Sequence, residues 1–291
     1  SVQALGADET LTETFSVSAS DGTATTTETL SFTITGVSDT TLAAPTAGAL
    51  TEDDSTTTVT GTLTGTDPEG DTLTYSIAGS IDVDGIYTAT GTYGTLVVNK
   101  TTGEYTYTLD NTDADTNAIA AGATADETFK VRTTDGTSRG SQVLTITITG
   151  TNDTPVLTVP TGGALTEGAS TTTVTDTLSA SDAEAGSLTF SVVGETASEG
   201  VYTVTGTYGS ISLNASTGAY TYTLNNSDAD TVALTSADTG TETFTVAVED
   251  AAGASATGSL SFAITGTGIT ITTIETDNKI NAAEATDGFT I

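Results

Sequence analysis

The 291 residues include no Cys, His, Met or Trp, which removes nucleophile–histidine catalysis, Cys/His zinc sites and the common haem and iron–sulfur ligands. Five Lys+Arg stand against 38 Asp+Glu, a formal net charge of −33 that argues against nucleic acid and anionic lipid as partners. The oxygen donors that remain suit Ca²⁺ or Mg²⁺, and charge of this density must be offset by salt or by bound cations.

The opening residues, "SVQALGADET", lack the basic and apolar regions of a signal peptide. No later run approaches the ~20 apolar residues of a membrane helix, so a soluble chain without direct membrane insertion is expected. "ETFSVSASDG" at 13–22 and "LSFTITG" at 30–36 read as paired strands, and the same pair returns as "ETFKV" at 127 with "LTITITG" at 144, then as "ETFTV" at 242 with "LSFAITG" at 260.

Between these pairs a longer unit is written twice. "ALTE" ends at Glu52 and at Glu167, and 167 − 52 = 115; "YGTLVVNKTTGEYTYTL" at 93–109 returns as "YGSISLNASTGAYTYTL" at 208–224. Solenoid repeats run at ~20 to 50 residues, so a period this long marks an array of domains. The expected divisions are 1–38, the last strands of one repeat; 39–153 and 154–268, two whole repeats; and 269–291, the start of a different module.

Within a repeat, "TTTVTGTLTG", "TLTYSI", "YGTLVV", "YTYTL", "ETFKVRTTD" and "VLTITITG" alternate apolar residues with Thr or Ser, the period of strands with one buried face. "NKTTGEY" and "NASTGAY" predict hairpin turns with Gly near the end. "TDADTNAIA" and "SDADTVALT" predict a short helical turn, capped by Asp113 and Asp228, with Ile119 and Leu234 closing the core. Six or seven strands per repeat imply an all-β chain of two-sheet antiparallel sandwiches.

The candidate ligands lie in acidic turns. "TDPEGD" sets Asp67, Glu69 and Asp71 around a Pro-Gly turn, and the second copy, "SDAEAG", keeps Asp182 and Glu184 but has Gly186 in place of Asp71. Two carboxylates ~4 Å apart repel by roughly 4 kcal/mol at an effective dielectric of about 20, and a divalent ion reverses that sign. A solvated polar turn is the plainer alternative. "TEDD" adds Glu52 and Asp53, whereas its counterpart has Glu167 followed by Gly168.

"YGTLVVNKTTGEYTYTLDNTDAD", "ETFKV" and "LTITITGTNDTP", in that order, resemble the VCBS-type repeat of large bacterial surface adhesins secreted with RTX-type signals. "TEDD" and "DPEGD" resemble elements of bacterial cadherin-like domains, and the likeness covers nearly all of 37–266; "TDNKINAAEA" is similar to the opening of a bacterial Ig-like module. The resemblance implies tandem Ig/cadherin-like antiparallel β-sandwich domains arranged end to end, on a secreted, extracellular stalk at the bacterial cell surface, stiffened by Ca²⁺. It also implies a cadherin-type linker in "TGTNDTP", where Asn152 and Asp153 would share a cation with Asp182, Glu184 and Asp135. Asp250, 115 residues beyond Asp135, joins the candidate set, although Asn-Asp-Thr-Pro is in its own right a good turn.

A non-catalytic stalk with neighbouring repeats or subunits as partners is the leading expectation. A filament or surface-layer subunit polymerising by β-strand complementation is the alternative. Surface or matrix glycans are a weaker possibility, because only Tyr and Phe could stack on a sugar. An enzyme built on paired carboxylates is disfavoured by acids that all lie in short turns.

Overall fold

The computed structural model describes residues 2–184 and 186–268, so the further module expected at 269–291, with "DNKINAAE", lies outside the described residues. Two compact units divide after Thr151.

The first unit opens with an antiparallel hairpin of β1 (Thr10–Ser20) and β2 (Thr25–Thr35). Asp21 shapes its turn by accepting the Thr23 and Ala24 N–H groups at 2.8 Å each, which holds the Asp21 pKa down to about 2.

A complete repeat follows. It runs β3 (Thr41–Leu42), β4 (Gly48–Thr51), β5 (Thr58–Thr62), β6 (Gly65–Thr66), β7 (Thr74–Ile77) and β8 (Asp82–Val83). It continues with β9 (Ile86–Thr90), β10 (Gly94–Asn99), β11 (Glu104–Leu109), α1 (Ala114–Asn117), β12 (Thr124–Thr134) and β13 (Arg139–Thr149). One sheet has the order β5-β11-β10-β9-β8, the other β4-β13-β12-β7.

Alternation along the strands sends Leu96, Val98, Tyr105, Tyr107 and Leu109 of the first sheet, and Leu50, Ile77, Phe129, Val131, Leu144, Ile146 and Ile148 of the second, into one buried core. Each fully buried Leu, Ile or Val contributes roughly 1.5–3 kcal/mol relative to exposure. The expected hairpin turn is present: Asn99 accepts the Thr101 and Thr102 N–H groups at 2.9 and 3.0 Å, and Gly103 takes φ +72°. Asp113 caps α1 by accepting the Asp115 N–H at 2.8 Å, and Ile119 is buried behind it.

The second unit repeats the plan with β14 (Val156–Thr158), β15 (Ala164–Thr166), β16 (Thr173–Thr177), β17 (Ser179–Ser181), β18 (Thr189–Val192) and β19 (Val201–Thr205). It closes with β20 (Gly209–Asn214), β21 (Ala219–Leu224), α2 (Ala229–Val232), β22 (Thr239–Glu249) and β23 (Ser255–Thr265). Its sheets have the orders β15-β23-β22-β18 and β16-β21-β20-β19, and Tyr222 stacks on Phe262 in the core at 4.2 Å between ring centroids.

One pairing in each repeat departs from the antiparallel expectation. β4 runs parallel to β13, and β15 parallel to β23, because both partners cross the sandwich from the end where the chain enters to the end where it leaves. This parallel pairing delivers Glu52 to the trailing end, beside the outgoing chain, while the turns that carry the other acids gather at the leading end.

Candidate metal centre at the leading end of each repeat

In the second unit, the pairing of Val156 in β14 with Ser181 in β17 brings residues 152–155 alongside the turn that bears Asp182 and Glu184. The β22–β23 turn supplies Asp250. The Asn152 amide donates to Asp250 Oδ2 at 2.7 Å and to the Asp153 carbonyl at 2.8 Å, and the Asp153 N–H donates to Glu184 Oε1 at 2.6 Å. Asp250 Oδ1 collects the N–H groups of Ala252, Gly253 and Ala254 at 2.8, 2.6 and 2.9 Å.

These donors have opposite effects on neighbouring acids. The Asn152 amide, followed by the three turn N–H groups, holds the Asp250 carboxyl below its usual range. Asp182 is pushed up, first by desolvation and then by the negative charges of Glu184, Asp250 and Asp153. Asp182 Oδ1 and Glu184 Oε2 are buried with no hydrogen-bond partner.

The first repeat builds the same arrangement from different side chains. Ser38, standing where the second copy has Asn152, donates its hydroxyl to Asp135 Oδ2, and Thr40 Oγ1 donates to the same oxygen at 2.9 Å. Asp135 Oδ1 accepts the Thr137 and Ser138 N–H groups, and with Ser38 the strongest contributor these bonds hold its pKa far down. The Asp39 N–H donates to Glu69 Oε2 at 3.4 Å, the counterpart of the Asp153–Glu184 bond. Asp67 accepts the Glu69 and Asp71 N–H groups at 3.0 and 3.1 Å. Glu69 is pushed up, chiefly by its contact with Asp67 and then by desolvation, and its Oε1 is buried without a partner.

The sequence reading therefore needs two adjustments. Asp135 is bound at the leading end of its own repeat by Ser38 and Thr40, and the carboxylate gathered with Asp182 and Glu184 is Asp250. Asp71 contributes its backbone N–H to the turn while its side chain is exposed, which accounts for Gly186 serving at the same place in the second copy.

Glu52, Asp53 and Glu167 follow β4 and β15, at the trailing ends of their own repeats. Glu52 is buried and accepts the Thr151 N–H at 3.0 Å; Glu167 accepts the Thr267 N–H at 2.9 Å. Asp53 is exposed with φ +58°, and its counterpart Gly168 has φ +69°. That position is occupied for its left-handed backbone, which explains the change from "TEDD" to "TEGA".

The sequence pattern that defines the bacterial cadherin-like domain matches residues 38–150 and again 152–266. This chain belongs to the bacterial cadherin-like domain family. No curated protein is significantly similar in sequence to the chain. Among solved structures, mouse cadherin-23 EC22-24 is 17% identical with a TM-score of 0.42, over 89% of this chain and 75% of that one. Mouse protocadherin-24 EC1-3 is 14% identical with a TM-score of 0.38, over 88% and 80%. Drosophila N-cadherin EC1-4 is 13% identical with a TM-score of 0.28, over 92% of this chain and 61% of that one.

Whether the leading ends of these cadherin-like domains fit an ion is decided by their donors. Among the described residues, no group of three or more acidic side chains already stands in the geometry of a metal shell. The oxygens do have the right chemistry: carboxylates, an Asn amide, a Ser hydroxyl and backbone carbonyls are hard donors suited to Ca²⁺. The partnerless oxygens of Asp182, Glu184 and Glu69 are buried acceptors that a cation would satisfy. Among the described residues the one salt bridge is Lys100 to Asp82, so these acids are not neutralised by basic side chains.

Sequence reasoning passed over one pair of acids in the cadherin-like repeats. Glu127 and Glu242 are buried on the core-facing side of β12 and β22. Glu127 accepts the Thr92 and Tyr93 N–H groups at 2.6 and 3.0 Å and the Tyr107 hydroxyl at 3.0 Å; Glu242 accepts the Thr207 and Tyr208 N–H groups at 3.1 and 2.7 Å. The available signal was the strand period itself, which puts Glu127 on the same face as Phe129 and Val131. These carboxylates tie the β9–β10 and β19–β20 loops to the opposite sheet.

Proposed function

We propose that this chain is a non-catalytic structural segment of an extracellular bacterial adhesin or fibre, in which Ca²⁺ bound at the leading end of each repeat holds the incoming linker against the domain. The observation that carries this reading is the pair of buried, partnerless oxygens on Asp182 and Glu184, set among the charges of Asp250 and Asp153. In the second repeat Asp182, Glu184 and Asp250 would hold the ion, together with oxygens of the Asn152–Asp153 linker. In the first repeat Asp67, Glu69, Asp135 and Asp39 would do so. The ion supplies positive charge where four carboxylates meet, and turns their repulsion into attachment of the linker.

An extracellular setting suits such sites, since extracellular modules bind Ca²⁺ at ~10⁻⁴ to 10⁻³ M. Free Ca²⁺ at about 100 times Kd would stabilise each repeat by roughly 2.7 kcal/mol. Calorimetric unfolding of the chain in EDTA and across a Ca²⁺ titration tests this reading. A rising Tm with saturable heat of binding is expected, while superimposable scans at all Ca²⁺ levels would remove the metal from the proposal.

A further inference from the structure

We infer that the outer face of β7, β12 and β13 in the first repeat is a docking surface for a linear acidic polysaccharide that carries one carboxylate on each sugar. The inference stands independently of the metal reading. Three of the chain's five Lys+Arg residues, Lys130, Arg132 and Arg139, stand on this one face.

Strand alternation fixes their direction. Val131, Thr133 and Leu144 are buried, so Lys130 and Arg132 on β12, with Arg139, Ser141 and Val143 on β13, point outward. Register sets them on a grid: Lys130 lies opposite Val143, Arg132 lies between Ser76 and Ser141, and Thr134 lies opposite Arg139. Diagonal neighbours such as Arg132 and Arg139 are ~7–8 Å apart. Among the described residues none of the three cations forms an ion pair, and the Ser76 and Ser141 hydroxyls have no protein partner.

The equivalent grids carry no positive charge. In the second repeat Thr245, Ala247 and Ser255 take the places of Lys130, Arg132 and Arg139, and Glu249 takes that of Thr134. In the β1–β2 pair the places fall to Ser16, Ser18 and Thr25. Folding of this strand pair therefore does not require the three cations, and their unspent charge calls for an anion.

The neighbouring acids do not supply it. Asp126 lies four residues from Lys130, ~13 Å along β12 and beyond the ~8 Å over which charges act in physiological salt. Asp135 is engaged by the hydroxyls of Ser38 and Thr40. Val143, 56% exposed, is the one large apolar side chain on the grid, so the face lacks the apolar centre of a protein interface. A uronate sugar suits what is there. The planar Arg132 guanidinium takes a carboxylate in a two-bonded fork, and the flanking serine hydroxyls exchange hydrogen bonds with ring hydroxyls. Lys130 and Arg139 then meet the carboxylates of adjoining sugars. A net charge of −33 disfavours a duplex nucleic acid with one charge per ~1.7 Å, whereas one carboxylate per sugar is a density that three cations match.

The test measures binding of the full chain to immobilised polygalacturonate in Ca²⁺-containing buffer, with dextran as the neutral probe. The parent should bind polygalacturonate and release it as salt is raised. Arg132→Ala should weaken binding about tenfold, as loss of a hydrogen bond to a charged group does. Lys130→Thr/Arg132→Ala/Arg139→Ser, which writes in the residues of the second repeat, should abolish it. Lys100→Ala, which removes a cation elsewhere, should leave it unchanged. Adding Thr245→Lys/Ala247→Arg/Glu249→Thr/Ser255→Arg to the triple variant should restore binding through the second repeat. No binding by the parent overturns the inference. So does binding that survives the triple substitution, which would mean that Ca²⁺ bridges the polysaccharide to the acidic turns. Equal binding to dextran, or a dimer of the parent that the triple variant abolishes, overturns it as well.

Discussion

The carboxylate of Glu127 fills the space that a β-carbon on Gly91 would need: the added atom would lie 2.3 Å from Glu127 Cδ, and at Gly206 it would lie 2.4 Å from Glu242 Cδ. Both repeats therefore couple a core glutamate on one sheet to a glycine at the edge of the other. The glycine is required by close approach, since a positive φ is recorded at neither Gly91 nor Gly206. Gly91→Ala should push the carboxylate off the Thr92 and Tyr93 N–H groups and leave a buried charge without two of its three donors. The expected loss is about 3 kcal/mol, read as a lower urea midpoint for the first repeat. Gly206→Ala should do the same in the second, whereas Gly22→Ala, in the open β1–β2 turn, should leave both midpoints unchanged.

The tyrosines beside these glutamates predict an alkaline limit. Tyr107 is fully buried, and burial followed by the Glu127 charge pushes its phenol well above the usual value of 10.0. A phenol whose pKa is higher in the folded state contributes stability that is complete below pH 10 and is lost as pH rises beyond it, because only the unfolded chain releases the proton. One such group gives a slope of about 1.4 kcal/mol per pH unit. Tyr107→Phe should cost about 1 kcal/mol at pH 7, through the lost hydrogen bond to Glu127, and flatten the alkaline slope of the first repeat by that amount. The Tyr222 hydroxyl makes no hydrogen bond of normal geometry, so Tyr222→Phe should be nearly neutral at pH 7 and still flatten the slope of the second.

Asp53 and Gly168 predict opposite responses at one structural position. Asp53→Gly should stabilise the first repeat by about 0.5 kcal/mol, because the backbone there is left-handed and the side chain is exposed. Gly168→Ala should destabilise the second by about 1 kcal/mol at φ +69°. Site-resolved hydrogen exchange separates the two repeats. Loss of Ca²⁺ response in the Asp53→Gly chain would identify Asp53 as a ligand.

Much of this was legible because the chain states each element twice. The Thr-apolar alternation around Leu96, Val98, Tyr105 and Tyr107 could only be a strand pair with one buried face, and the Asn-x-x-x-Gly turn between them follows from the local chemistry of Asn99 and Gly103. The acids Asp182 and Glu184 were visible as a turn, but their partner Asp250 sits 66 residues beyond Glu184 (250 − 184), and nothing local signals that approach. The parallel pairing of β4 with β13 is likewise non-local. Glu127 and Glu242 were missed because a charged residue in an otherwise amphipathic strand reads as solvent-facing. The strand period says otherwise, and the paired N–H groups of a distant loop make it tolerable.

The leading-end cluster carries the last prediction, in which one substitution has opposite signs with and without the ion. In EDTA, Asp182→Asn removes a charge that stands against Glu184, Asp250 and Asp153 at a desolvated position, so the second repeat should melt higher than the parent. In saturating Ca²⁺ the same variant should melt lower, because one of the ion's carboxylate donors is gone. Asn152→Ala removes the amide that bridges Asp250 and the Asp153 carbonyl, and should cost about 1.5–3 kcal/mol under both conditions, as loss of a hydrogen bond to a charged group does. A crossing of the parent and Asp182→Asn melting temperatures as Ca²⁺ is raised is the expected signature of acids held together against their own repulsion. Parallel curves would mean that the turn is merely solvated and that Asp182 carries no ion.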